Sequence, residues 1–296
     1  MGWPHEPVMV QEVGELMLAN HPAIIVDATL GAGGHAEALL ERSTCERLVA
    51  LDRDAQALAT AGARLARFGD RAVLRQADFA ALDTVLDELG IAAVGAILAD
   101  LGMSSLALDD PARGFSFQFD GPLDMRMDQR QTLSARDLIN EEPEAELARI
   151  IRDYGEERHA RRIARLIVAA RRKRPIETTF QLRSIVERAL GPRRIAGMHP
   201  ATRTFQALRI AVNREIESLA ALLASGPARL TAGGRMVTLA YHSLEDRPVK
   251  EAFRALARSG EFVAITGKPM RPAAAEVARN PRARSARLRC LERGQP

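Results

Sequence analysis

Cysteine, lysine and long apolar runs are all scarce in this chain, and each scarcity excludes something. Two cysteines, Cys45 and Cys290, occur in 296 residues. Two thiols make neither a disulfide framework nor, by themselves, a zinc site, and they fit a reduced cytoplasmic protein. No apolar run approaches the roughly 18 residues a membrane helix needs, so no membrane span is expected. Residues 1–11 lack the basic start and apolar stretch of a secretory leader. No metal-ligand spacing and no internal repeat is evident, and nothing sets an oligomeric state. What is present, 47% hydrophobic and 27% charged residues, excludes a disordered tail and allows one large domain or two modest ones.

Only Lys173, Lys250 and Lys268 are lysines among 42 basic residues, which leaves 39 arginines. A codon bias toward arginine explains that choice. The distribution is more informative: residues 268–296 hold eight basic residues against two glutamates, and 157–174 hold eight against one. Two such blocks around an otherwise acidic body point to a polyanionic partner, with a solvated helix face as the alternative for either block.

Short apolar runs at 23–26, 48–51, 72–74 and 94–99 read as buried strands. Helical patterns at 35–42, 54–68 and 80–89 lie between them, with Asp54 as an N-cap. This alternation predicts a parallel sheet covered on both faces. Asp27, Asp52, Asp78 and Asp100 fall at or just past the strand ends, along the edge where such sheets bind ligands. The next strand, 235–242, follows the turn Ala232-Gly233-Gly234 and a helix over 201–224, whose Phe205, Leu208, Val212, Ile216, Leu219 and Leu223 share one face. A plain α/β domain needs only one helix here, so residues 106–198 are surplus. They read as helices at 144–154, 156–172 and 180–190, the last opened by the capping box Thr178-Thr179-Phe180-Gln181. The expected organisation is a sheet domain in two parts, 1–105 and 199–296, around an inserted helical domain at 106–198. A helix at 248–257 and strands at 262–266 and 286–291 complete the second part, the last as an edge strand.

Between the first strand and helix runs Asp27-Ala28-Thr29-Leu30-Gly31-Ala32-Gly33-Gly34-His35. Gly31-x-Gly33-x-x-Ala36, with Asp52 placed 21 residues after Gly31, fits a loose nucleotide fingerprint shared by dehydrogenases and S-adenosylmethionine-dependent methyltransferases. Asp27 separates them, because a carboxylate beside the loop repels a pyrophosphate but attracts an ammonium or sulfonium. Asp78 suits an adenine or ribose contact, and Phe79 offers a ring face.

Longer motifs now carry a resemblance. They are His5-Glu6-Pro7-Val8, the glycine loop, Asp100-Leu101-Gly102 with Ser104-Ser105, Arg113-Gly114-Phe115-Ser116-Phe117, and Gly121-Pro122-Leu123-Asp124-Met125-Arg126-Met127-Asp128. Further on come Tyr154-Gly155-Glu156-Glu157, the run from His199-Pro200-Ala201-Thr202 to Ile210, His242-Ser243-Leu244-Glu245-Asp246-Arg247, and Asn280-Pro281-Arg282-Ala283-Arg284-Ser285. In this order they resemble the RsmH (MraW) family of 16S rRNA cytosine-N4 methyltransferases over nearly the whole length. The resemblance implies a Rossmann-like class I methyltransferase with a helical insertion after the fourth strand. It also implies S-adenosylmethionine as cofactor, and as partner the 16S rRNA of the small ribosomal subunit, methylated at cytidine 1402 in standard rRNA numbering. Cofactor contacts carry over to Gly33, Gly34, His35, Asp52, Phe79 and Asp100. A family glutamine after the paired serines is Ala107 here, so that amide contact is absent or replaced. Tyr241 stands where the family usually has phenylalanine, and Met103 where it usually has valine.

The N4 amine of cytosine is a weak nucleophile, so transfer needs acceptors that aim it and remove a proton. Asp100 is the candidate catalytic residue, orienting cofactor, amine or both. His242 is a second, with helix capping as its alternative role. Arg113 and Arg126 lie open between ion pairing with Asp124 or Asp128 and phosphate contact. Phe115, Phe117, Phe119 or Tyr241 supplies a stacking ring. A DNA cytosine-N4 methyltransferase is disfavoured because the Pro-Pro-aromatic motif is missing after Asp100, and a non-catalytic RNA-binding factor is disfavoured by the intact glycine loop.

Overall fold

The computed structural model describes residues 7–191 and 199–295, with the side chain of Ser105 left aside. His5 and Glu6 of the first motif, and the expected boundary at 198, lie outside the described residues. Two compact units emerge. One comprises the described residues up to Ser104 and from Ile216 onward, and the other is Ser105–Glu215.

The first unit is an α/β fold of the Rossmann-like class. Its elements run α1 (Val10–Leu18), β1 (Ile24–Asp27), α2 (Gly34–Arg42), β2 (Arg47–Asp52), α3 (Ala55–Leu65), β3 (Ala72–Gln76), α4 (Leu82–Glu88) and β4 (Val94–Asp100). The second unit follows with α5 (Ser105–Asp109), α6 (Ala135–Glu141), α7 (Glu144–Asp153), α8 (Ala160–Arg171), α9 (Thr179–Leu190) and α10 (Thr202–Asn213). The first unit resumes with α11 (Glu215–Ser225), β5 (Leu230–Ala240), α12 (Ser243–Ser259), β6 (Phe262–Ala264), α13 (Ala274–Arg279) and β7 (Arg287–Arg293). Strand order is β3-β2-β1-β4-β5-β7-β6. The five strands β1 to β5 are mutually parallel, and β7 runs antiparallel to both neighbours.

Central strands are apolar on both faces, as a sheet wrapped by helices requires. Neighbouring residues therefore feed opposite cores. Ile25, Leu48 and Leu98 pack with Val13, Leu39 and Leu288 on one side, while Val26, Val49 and Ile97 pack with Leu86, Leu222 and Phe253 on the other. Asp54 caps α3 as expected, accepting from the Gln56 N–H at 3.0 Å. The Thr178–Gln181 capping box opens α9.

Four expectations need correction. The helix over 201–224 is two helices, broken at Arg214 in left-handed backbone (φ 51°). Asn213 explains the break: its amide donates to the Met125 carbonyl at 2.7 Å and its Oδ1 accepts from the Met127 N–H at 2.8 Å, so the end of α10 grips a loop of the second unit. That grip, with α10 packed against α6 and α7, carries the second unit to Glu215 rather than to 198. The helix at 248–257 begins earlier, at Ser243, because Glu245 accepts the Tyr241 and His242 N–H groups ahead of it. Finally, β7 is an interior strand between β5 and β6, not an edge. Helix α1 went unanticipated; it buries Val13 and Met17 in the core on one face of the sheet.

Interior placement of β7 brings Arg289 into a buried ion pair. Its Nε lies 2.8 Å from Asp246 Oδ1, and Arg287 Nη1 lies 3.0 Å from Asp246 Oδ2. Against the burial that would raise it, these two guanidiniums hold the Asp246 carboxyl below the usual carboxylate range. Asp246→Ala leaves Arg289 buried without its counter-charge and is expected to cost about 3–5 kcal/mol. Urea denaturation followed by fluorescence checks this, and a loss below about 1 kcal/mol makes the pair ornamental.

Candidate functional site

Strand order reverses between β1 and β4: β2 and β3 lie beyond one, and β5 beyond the other. Loops leaving β1 and β4 diverge there and open a crevice at the carboxyl edge. Asp27, Asp52 and Asp100 are the last residues of β1, β2 and β4.

Asp27 is 1% exposed. Its Oδ1 accepts the Thr29 N–H at 3.1 Å, while its buried Oδ2 has no hydrogen-bond partner among the described residues. Burial pushes the carboxyl up to about 6, against the pull of His35 and the Thr29 N–H. Asp52 is likewise raised by burial, although Oδ1 accepts from the Asp54 N–H and Oδ2 from the Gly31 N–H, each at 2.8 Å. Asp100 is pushed up to about 7 by burial and, less strongly, by Glu245, with the Tyr241 hydroxyl pulling the other way. Three carboxyls that resist ionisation need a cation or N–H donors to settle them as anions.

The glycines shape the same end. Gly33 caps α2 with φ 78°, a left-handed conformation that disfavours a side chain, and a Cβ there would stand 3.1 Å from the Ala61 methyl. A Cβ on Gly34 would stand 3.1 Å from the Pro7 ring. His35 ties three segments together. Its Nε2 lies 2.9 Å from the Val8 carbonyl and its Nδ1 3.6 Å from Asp100 Oδ2. Burial lowers its pKa, so the imidazole is neutral at pH 7. Thr29 closes the loop by accepting the Asp100 N–H at 2.7 Å.

Asp78, expected to suit an adenine or ribose contact, is also held within the fold. Arg53 lies 2.7 Å away, the Ser218 hydroxyl donates at 2.9 Å and the Ala80 N–H at 2.8 Å. The Arg53 guanidinium lies 5.6 Å from the Phe79 ring centroid. At the end of β5 the Tyr241 hydroxyl donates to Asp100 Oδ1 at 2.7 Å. Its ring lies against Gly102, where a Cβ would be 3.0 Å from Tyr241 Cδ2 and φ is 132°. His242 Nε2 is 2.9 Å from Glu245 Oε1, which commits the ring to the first turn of α12. The structure thus gathers Gly33, Gly34, His35, Asp52 and Asp100 at one end of the sheet, and sets Phe79 just after β3. Ala107 belongs to the second unit, buried in α5 with only a methyl to offer. The engagement of the Tyr241 hydroxyl with Asp100 was not foreseen; its only sequence signal was a tyrosine where the resembling family carries phenylalanine.

Taken by itself, the second unit decides two open readings. Arg126 is an ion-pairing residue, with Nε 2.7 Å and Nη2 2.8 Å from the Asp124 oxygens. Arg113 is buried and donates to the Arg126 and Met127 carbonyls. Arg171 donates to the carbonyls of Ile139 and Glu142, both at 2.6 Å, finishing α6 rather than facing solvent. Arg158, Arg161, Arg162, Arg165, Arg172, Lys173 and Arg174 are exposed. Phe117 stacks on His199 with centroids 4.6 Å apart and meets Phe205 edge-on; Phe115 is buried. Among the described residues no His, Cys, Asp or Glu group could hold a metal, and no helix is long and apolar enough to cross a membrane.

Residues 2–294 match the MraW methylase family. The chain is 50% identical to ribosomal RNA small subunit methyltransferase H of Geotalea uraniireducens, over 98% of both chains. It is 48% identical to the protein of the same name from Cutibacterium acnes, over 99% of this chain and 92% of the other. Among solved structures, an rRNA methylase from Streptococcus thermophilus covers 97% of this chain and 94% of its own at 14% identity and TM-score 0.41, too distant a likeness to carry residues across.

Asp52→Ala removes the acceptor that holds the Gly31 N–H along with any acceptor for ribose hydroxyls. Affinity for S-adenosylmethionine is expected to fall by about one to two orders of magnitude, a loss of roughly 1.5–3 kcal/mol. Calorimetric titration checks it, and unchanged affinity removes Asp52 from the cofactor set.

Proposed function

Because this chain belongs to the MraW methylase family, S-adenosylmethionine-dependent methyltransferases of small-subunit ribosomal RNA, we propose that it methylates the N4 amine of cytidine 1402 in the decoding centre of 16S rRNA. The observation that carries the cofactor side is the orphaned Asp27 Oδ2 in an acid-rimmed, buried crevice. A pyrophosphate would place anion against anion there, whereas S-adenosylmethionine brings an ammonium and a sulfonium. Asp27 would take the ammonium, Asp52 the ribose hydroxyls and Phe79 a face of the adenine. Gly33, Gly34 and His35 would line the loop, while Ala107 adds no polar contact.

When bound, S-adenosylmethionine supplies a methyl group already activated by its sulfonium. The protein's task is then positioning and proton removal. Asp100 ends β4 with Oδ1 held by Tyr241 and about a quarter of its side chain open. Its carboxylate accepts an N4–H, aims the amine, and takes the proton that nitrogen sheds as the new N–C bond forms. A value near neutrality suits that acceptor. His242, held on Glu245, shapes this end of β5 rather than accepting the proton. The exposed arginines of α8 and the turn after it meet rRNA phosphates.

Radiolabelled transfer to small-subunit particles, followed by nucleoside analysis, is expected to yield N4-methylcytidine at that position; label in another nucleoside or position refutes the assignment. Asp100→Asn is expected to lower turnover at least about 100-fold with cofactor affinity within a few-fold of wild type. Equal losses in both make Asp100 a cofactor residue.

For the rRNA face, Arg165→Ala, Arg172→Ala and Arg174→Ala together are expected to weaken small-subunit binding and flatten its logarithmic salt dependence by about 0.7–0.9 for each phosphate no longer neutralised. S-adenosylmethionine binding should be unaltered. Arg171 is left in place because it finishes α6. An unchanged salt slope makes the basic block a solvated helix face.

A further inference from the structure

Tyr241 is immobilised from three sides. Its N–H is held by Glu245 Oε2 at 2.7 Å, its ring lies on Gly102, and its hydroxyl reaches Asp100 Oδ1 at 2.7 Å. Burial and the adjoining Asp100 push the phenol far above its ordinary range, so the proton stays on tyrosine and the hydroxyl donates. The two oxygens of Asp100 are therefore inequivalent. Oδ1 receives a strong fixed donor, while Oδ2 has, among the described residues, the neutral His35 ring at 3.6 Å.

We propose that Tyr241 is a positioning residue for methyl transfer: its hydroxyl fixes Oδ1 of Asp100, so that Oδ2 is the oxygen offered to the acceptor amine. This rests on the reading above that Asp100 meets the amine. Among the described residues, the charged and titratable groups facing Asp100 are Asp27 from β1, His35 from α2, Tyr241 beyond β5 and Glu245 from α12. Glu245 opposes its ionisation, Asp27 is itself raised by Asp100, and the imidazole is neutral. The phenol is thus the partner that favours the anion, and it does so without a full positive charge. A lysine or arginine in its place would stabilise the carboxylate more, but would repel a sulfonium.

Tyr241→Phe keeps the ring on Gly102 and removes only the donor. The Asp100 carboxyl can be followed directly by NMR of protein labelled with carboxyl-¹³C aspartate, its resonance assigned by disappearance in Asp100→Asn. In Tyr241→Phe the titration midpoint is expected to rise by about one unit. The acid limb of single-turnover methyl transfer should move up with it, and well above both midpoints the rate should stay below wild type, because Oδ2 is no longer held toward the amine. A thermal melt establishes that the variant is folded. If the midpoint stays where it is, the hydroxyl does not govern Asp100 and the inference falls, while the reading of Asp100 stands. If the midpoint moves but the acid limb does not, Asp100 is not the group titrating in transfer, and the reading falls together with the inference.

Discussion

Negative charge gathered where water is scarce is the constraint from which this structure follows. A parallel sheet delivers the last residue of each strand to one edge, and here β1, β2 and β4 all end in aspartate. Burial makes those carboxyls reluctant anions, and the surroundings compensate with backbone N–H groups and one hydroxyl. Gly31 and Asp54 serve Asp52, Thr29 serves Asp27, and Tyr241 serves Asp100. Each donor needs its own support, which explains why the Pro7-Val8 segment, His35 and Glu245 are built around the crevice. The compensation is incomplete at Asp27, whose Oδ2 has no hydrogen-bond partner among the described residues.

Most of the first unit was legible because its signals are local. Apolar runs of four to seven residues ending in an acid announce buried parallel strands, and the glycine loop announces the first turn. The unread parts depend on partners distant in the chain. Asp78 and Asp246 look like further members of the acidic rim, yet Arg53 neutralises one and Arg287 with Arg289 the other. The break at Arg214 was invisible because Leu208, Val212, Ile216 and Leu219 keep helical spacing across it. Only the grip of Asn213 on the loop at Met125 and Met127 reveals why the chain turns there.

Arginine does two kinds of work in this molecule. Arg113, Arg126, Arg171, Arg287 and Arg289 spend their donors on carbonyls and carboxylates of their own fold, work suited to a planar fork with five N–H groups. Arg161, Arg162 and Arg165 along α8 are instead exposed. An abundance that composition attributes to codon usage therefore divides into structural and surface populations only when each guanidinium is traced to its acceptor.

The insertion has a consequence for how the chain folds. Strands β4 and β5 pair side by side at the centre of the sheet, yet the whole of the second unit lies between them in sequence. Closing so long a loop adds little to the equilibrium cost, since each doubling of length adds only about 0.6 kcal/mol. Its kinetic effect is larger, because non-local pairing is slow. A unit with its own buried interior can form first and hold its two ends, so the search for β5 is no longer that of a free coil. Substitutions inside the helical unit should then register in the rate at which the sheet closes, even at positions that contribute little to its final stability. The central seam of the methyltransferase domain is in this sense timed by a segment that is not part of it.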